Sequence, residues 1–173
     1  MSCNNTLNDA LSAELVLNVN DIHTIHQLLY NGANINYQSK DGWCLLFELI
    51  SLNKYKDLRS LYEYGIDMKL RDTKNRSALF WTIHHGHTDI LDVLTTLKYP
   101  IDELITDNLP SLHYAVYKSN PKIINILLDA GLNIESVDAH HNTALDYAYI
   151  YDKKNMITLL EQRGASTANL EHL

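Results

Sequence analysis

The stretch LLDAGLNIE, residues 127–135, reads as the end of a helix. Two leucines lead into Gly131, and glycine is the residue that most readily takes the left-handed conformation that closes a helix. Similar stretches recur along the chain as LLYNGANIN (28–36), LYEYGIDMK (61–69), TLKYPIDEL (96–104) and LEQRGASTA (160–168). Gly32, Gly65, Lys98, Gly131 and Gly164 stand at a constant spacing of 33. A second column keeps the same step through WCLLFELI (43–50), RSALFWTI (76–83), LPSLHYAV (109–116) and NTALDYAY (142–149). Leu46, Leu79, Leu112 and Leu145 hold one register, while Ala115 and Ala148 hold another where Leu49 and Thr82 stand earlier. A fixed period of this length marks stacked units, each burying one apolar face on itself and another on its neighbour.

The pattern resembles the ankyrin repeat, whose T-P-L-H-x-A signature opens a unit of one β-turn and two helices. PSLHYA (110–115) and TALDYA (143–148) carry it, as does SALFWT (77–82), with GHTDILDVL (86–94) following at the second helix. The resemblance covers about residues 7–168. It implies an all-α ankyrin-repeat solenoid of helix–turn–helix units joined by β-turn or hairpin fingers. The expected organisation is a single domain over 1–173, with units at 7–36, 37–69, 70–102, 103–135 and 136–168.

Local signals support the units. In the third, helices are expected over Ala78–His85 and Thr88–Leu97, and Ile90, Leu91, Val93 and Leu94 form one helical face. Ile123, Ile124, Ile126 and Leu127 repeat that face, as do Met156, Ile157, Leu159 and Leu160. Ser77 and Thr143 are candidate N-caps, and Asn120 before Pro121 is a cap followed by proline at the first helical position. Three departures stand out. Cys44 is a poor cap, Pro110-Ser111 swaps the signature's hydroxyl and proline, and Lys98 replaces glycine. A lysine at positive φ costs about 1 kcal/mol, so Lys98 with Pro100 is expected to change the finger that follows. The ends read as polar caps of a complete array, with Asn4, Asn5, Asn8, Asn18 and Asn20 beside a first helix over Leu11–Val19, and Asp152 to Asn155 near the other end.

Composition narrows the function. Apolar residues make up 46% of the 173, enough for a core, and the net charge of −7 argues against a nucleic-acid backbone as partner. No apolar run of membrane length and no secretory leader is visible. With only Cys3 and Cys44, no disulfide framework is expected and a cytoplasmic setting is the simplest reading. An effector exported without a cleaved signal would have the same composition.

The cluster HHGH (84–87) raises the question of a metal site. The family register places Gly86-His87 at the turn between two helices. Adjacent His84 and His85 diverge by about 100° on a helix, so no metal and no cofactor is expected. His23, His26, His140 and His141 read as surface residues, and His113 matches the histidine that serves the turn in the family signature. No nucleophile elbow, phosphate loop, HExxH or GxGxxG occurs, and no enzyme is expected.

The resemblance implies a protein-binding module that uses finger tips and the groove-facing side of the first helices. By register, the finger candidates are Trp43, Arg76, Asp107, Leu109, His140 and Asn142. The helix candidates are Trp81, His84, His85, Tyr114, Tyr117, Lys118, Tyr147 and Tyr151. Trp81, Tyr114 and Tyr147 share one column and are expected to form a ladder, serving either as interface anchors or as inter-repeat packing. Asp102, Glu103 and Asp107 in one finger, and Glu135 and Asp138 in the next, suggest a basic partner for an inhibitor or immunity-type protein. A scaffold or host-directed effector is the alternative within that class. Small-ligand or metal binding at the His/Tyr-rich groove is the alternative from another class, and self-association is a third. A monomer that binds neither nucleic acid nor membrane is the leading expectation.

Overall fold

The computed structural model describes residues 2–167, with side chains from residue 8 onward. The readings placed on Cys3, Asn4 and Asn5 side chains, and on Ala168, lie outside the described residues. Ten helices alternate with short turns among the described residues: α1 (Ser2–Leu17), α2 (Ile22–Tyr30), α3 (Leu45–Ser51), α4 (Tyr55–Tyr62), α5 (Ala78–His85), α6 (Thr88–Thr96), α7 (Ser111–Tyr117), α8 (Pro121–Asp129), α9 (Ala144–Ile150) and α10 (Lys154–Gln162). One antiparallel ribbon, β1 (Leu104–Thr106) with β2 (Leu109–Pro110), lies between α6 and α7. The all-α helical repeat that the resemblance implies is the structure adopted. The first helix differs: it starts at Ser2 and stops at Leu17, where the sequence suggested Leu11 to Val19.

Three left-handed backbone positions per period account for the turns. One column, Asn53, Gly86, Ser119 and Asp152, closes the first helix of a pair. The next residue then reaches back across the helix end, as in Lys54 N–H to Leu49 O (2.8 Å) and Lys153 N–H to Ala148 O (2.8 Å). The second column, Gly32, Gly65, Lys98, Gly131 and Gly164, closes the second helix in the same way. This six-to-one bond satisfies a carbonyl that would otherwise be orphaned. Lys98 occupies its place at φ +56°, so the geometry of the glycine column survives the substitution.

The third column lies in the fingers. Gly42, Asn75 and His141 are left-handed there, and Asn108, next in register, is not. In those three fingers a polar side chain three residues before the left-handed position holds the turn. Ser39 Oγ accepts from Trp43 N–H, Asp72 Oδ1 from Arg76 N–H and Asp138 Oδ1 from Asn142 N–H. Ile105 stands in that column in the remaining finger and is fully buried. With no acceptor to hold a tight turn, the backbone pairs as β1–β2, with Leu104 opposite Pro110 and Thr106 opposite Leu109 across an irregular register. The changed finger expected from Lys98 and Pro100 therefore exists, and its cause is Ile105. At Gly42 a Cβ would lie 2.7 Å from Asp72 Cα and from Thr73 N, so only glycine fits.

The caps follow the sequence in part. Ser77 Oγ accepts from Phe80 N–H, and Asn120 accepts from Ile123 N–H ahead of Pro121. Thr143 forms a reciprocal capping box with Asp146. Cys44 makes no side-chain cap bond. Ser111 is no cap either, since Pro110 holds that position and Ser111 Oγ donates to Ile101 O.

The chain divides into two compact units at the bond between Trp81 and Thr82, inside α5. In the first, α1 packs on α2 and α3, and α3 on α4. Its core contains Leu15, Ile25, Leu46, Phe47, Leu58, Leu61 and Leu79, each at most 1% exposed. In the second, α7 packs on α8 and α9, α6 on α8, and α9 on α10. Ile90, Leu91, Leu112, Ile123, Leu127, Leu145 and Leu160 are buried there to the same extent. Each such side chain contributes about 1.5–3 kcal/mol relative to leaving it in water.

Candidate functional site

The first unit uses its aromatic candidates to seal itself. Trp43 sits edge-on to Trp81 with ring centroids 5.0 Å apart, and leans on Phe47 at 5.8 Å. Its indole N–H donates to Glu48 Oε2 at 2.7 Å. Trp81 also meets Phe80 and Phe47, and is buried. Arg76 covers it, with the guanidinium carbon 4.3 Å from the ring centroid. Asp72, itself buried, fixes that guanidinium through Arg76 Nε at 2.6 Å. Arg76 is thus held on both sides, by a carboxylate and by a π-face.

The second unit arranges its aromatics differently. Ring contacts run from His84 to Tyr114, then Tyr117, Tyr151 and Tyr147, with centroids 5.2–6.4 Å apart. Tyr114 and Tyr147 are therefore joined through Tyr117 and Tyr151, one helical turn further along α7 and α9. Tyr114 is buried, and its hydroxyl is hydrogen-bonded to His84 Nδ1 at 2.8 Å. Tyr117, Ile150 and Tyr151 are each about half exposed, at 49%, 52% and 46%. His84, His85 and Lys118 are exposed beside them.

The histidine cluster is a stack. His85 lies edge-on to His84 at 5.2 Å and nearly parallel to His87 at 5.6 Å. His87 is the N-cap residue of α6 and makes no side-chain cap bond. Burial, then the neighbouring His84, His87 and Lys118, push the His85 imidazole below its ordinary pKa. Among the described residues no group of three or more His, Cys, Asp or Glu is placed to hold a metal ion.

The finger ahead of α9 is locked by the side chains of Asp138, Tyr147 and His113. Asp138 Oδ1 accepts from His140 N–H and Asn142 N–H, while Oδ2 accepts from the Tyr147 hydroxyl at 2.9 Å. Burial by itself would raise the Asp138 carboxyl. The bonds from Asn142, Tyr147 and His140 outweigh it and hold the group below its ordinary value. Burial and the Asp138 carboxylate push the Tyr147 phenol up to about 12. His113 Nε2–H donates to Asn142 O at 2.7 Å, and its ring stands edge-on to Tyr147 at 4.8 Å. His113 Nδ1 is buried without a hydrogen-bond partner, and burial holds this imidazole below its ordinary pKa. The turn-serving role implied for His113 is the one it plays.

These contacts reassign several residues. Asp138 does not belong to an acidic binding edge, because its carboxylate is buried within its own finger. Glu135 accepts from Ser166 N–H, and Glu103 accepts from Tyr99. Asp102 and Asp107 are exposed at the β1–β2 finger. Leu109 and Asn142 are half-buried, and His140 and His141 are exposed. His26 is not a simple surface residue, since it is half-buried and stacked on Tyr64 at 4.9 Å. Cys44 is fully buried, and burial pushes its thiol up to about 11, well away from nucleophile chemistry. Sequence reading missed Asp72 and Asp138 as anchors of the aromatics. Their spacing of 66, two periods, was the available signal.

A family model described as ankyrin repeats (3 copies) matches residues 12–107. Among curated proteins, the ankyrin repeat protein L371 of Acanthamoeba polyphaga mimivirus is 23% identical over 186 residues, covering 85% of this chain and 24% of that protein. The potassium channel AKT2/3 of Arabidopsis thaliana is 32% identical over 105 residues, covering 61% of this chain and 13% of the channel. The NF-kappa-B inhibitor cactus of Drosophila yakuba is 32% identical over 105 residues, covering 58% of this chain and 21% of the inhibitor. The chain thus spans less than a quarter of the length of each of these relatives.

Proposed function

Because the chain belongs to the ankyrin repeat family, we propose that it is a non-catalytic protein-binding module whose second unit docks its partner on the exposed side of α7 and α9. The observation that carries this reading is the patch of Tyr117, Ile150 and Tyr151, half exposed yet held by ring contacts on two packed helices. Aromatic side chains in such positions bury a large area on binding and lose little further freedom, because their rotamers are already restrained. His84, His85 and Lys118 border the patch, and Asp107, Leu109, His140 and Asn142 supply finger contacts in this reading.

In the first unit Trp43 and Arg76 serve the partner only through their outward edges, since their other faces hold Trp81 in place. A partner approaching the β1–β2 finger meets Asp102 and Asp107, which favours a basic segment at that point. An inhibitor role has the support that one relative is named as an inhibitor.

Affinity capture from cell lysate, comparing the wild-type chain with Tyr117→Ala/Tyr151→Ala, tests the reading. One stoichiometric protein recovered by the wild type and lost in the variant is the expected result. Identical recovery by both would remove the second unit's patch from the account. Trp43 is left in place in this variant because it packs on Trp81 and Phe47.

A further inference from the structure

The first unit carries a cavity beside its second helices that the docking reading does not use. Its volume is about 720 Å³. It is lined by His26, Gln27, Leu29, Tyr30 and Asn31, from α2 and its C-cap, and by Tyr64 just after α4. His26 and Tyr30 stand one helical turn apart, on one face of α2. Tyr30 is 90% exposed and Tyr64 57%. His26 stacks on Tyr64 with ring centroids 4.9 Å apart. Its Nε2 is shielded from solvent and has no hydrogen-bond partner among the described residues.

The lining selects by chemistry. It holds no Asp, Glu, Lys or Arg, so a charged ligand would lose hydration with no counter-charge to replace it. Two phenol rings, two carboxamides and one imidazole suit a flat, neutral group that both stacks and hydrogen-bonds. The shielded His26 nitrogen adds a fixed requirement. A buried polar atom left unpaired is costly, and a ligand that pairs with it removes that cost. The volume falls within the range of about 300–1,000 Å³ typical of small-molecule sites. We propose that this cavity binds a neutral bicyclic heteroaromatic small molecule, of nucleobase or indole type, with its ring against Tyr30 and Tyr64 and a ring nitrogen hydrogen-bonded to His26 Nε2. The site is independent of the docking reading, because every lining residue belongs to the first unit and none is part of the tyrosine patch.

Titration of benzimidazole into the full chain at neutral pH, followed by NMR, tests this. Benzimidazole carries one nitrogen that donates and one that accepts, so it matches His26 Nε2 whichever imidazole nitrogen holds the proton. Indene, a bicyclic ring with no polar atom, is the control compound. His26→Phe keeps a ring against Tyr64 while deleting the nitrogen, and Tyr30→Ala removes a ring that stands almost wholly in solvent. The expected result is saturable binding of benzimidazole, with indene about tenfold weaker. His26→Phe should weaken benzimidazole by about tenfold and Tyr30→Ala by about threefold. Tyr117→Ala/Tyr151→Ala should bind it as the wild type does. In the wild type itself the nitrogen resonance of His26 Nε2 should move on addition of benzimidazole, a readout that needs no variant to fold. No saturable binding at millimolar benzimidazole, an unmoved His26 resonance, or equal binding of benzimidazole and indene would overturn the proposal. Benzimidazole binding lost only in the Tyr117→Ala/Tyr151→Ala variant would overturn it too, by placing the ligand on the docking patch.

Discussion

The two units use aromatic first-helix residues to opposite ends. In the first, Trp81 is enclosed by Trp43, Phe47, Phe80 and the Arg76 guanidinium, and Asp72 locks the arginine from behind. In the second, Tyr114 is enclosed, but the rings one turn further on, Tyr117 and Tyr151, stand half in solvent with Ile150 beside them. The ring column itself is covered in both units, and the difference lies three to four residues further on, where the first unit has Ser51 and Leu52 and the second has Tyr117, Ile150 and Tyr151. Neighbours decide the difference. A buried carboxylate four residues before Arg76 holds the arginine that covers Trp81, whereas the equivalent carboxylate, Asp138, accepts from the Tyr147 hydroxyl, and Asn142 stands where the arginine would be.

The largest effect expected from breaking this comparison is on stability of the first unit. Trp81→Ala removes a buried ring with several aromatic contacts, and chemical denaturation should show a loss of about 3–5 kcal/mol. Leu145→Ala, at a buried position of α9, should cost about 2–5 kcal/mol in the same measurement. Asp138→Ala leaves two backbone N–H groups and the Tyr147 hydroxyl without their acceptor. A loss of about 1–3 kcal/mol is expected, with Tyr147 ionising nearer its ordinary value in a spectrophotometric titration.

His113 sharpens the same finger through pH. Its folded-state pKa lies below the ordinary 6.5 because burial disfavours the charged ring. The unfolded chain therefore binds more protons below that value, and this contribution to stability is complete above it and declines as pH falls through the window beneath. Urea midpoints measured across that window should fall on acidification, and should fall less in a His113→Gln variant. The smallest expected effect on stability is that of Tyr117→Ala/Tyr151→Ala, on the order of 0.5 kcal/mol per site because both are exposed.

Much of the fold was legible because its causes lie close together in the chain. A left-handed residue, the leucine column and a capping hydroxyl each act within one repeat, and the period of 33 repeats them. Lys98 shows the limit of reading one column alone. The position tolerates lysine at φ +56°, and the finger changes shape because Ile105 replaces an acceptor several residues on. The site was legible only as a set of residues. Which aromatic is covered depends on partners about one period away, as with Tyr114 and His84 or Trp43 and Trp81. Likewise, two fingers that read as acidic in the sequence engage Glu103, Glu135 and Asp138 in hydrogen bonds within the protein.

The central claim is that the second unit's exposed aromatics are there for a partner and not for the core. Melting midpoint and partner capture, measured on the same preparation of Tyr117→Ala/Tyr151→Ala, test it most directly. The account predicts a melting curve close to wild type together with loss of the captured protein. A variant that unfolds at markedly lower temperature, or one that melts normally and still captures every protein the wild type does, would contradict it.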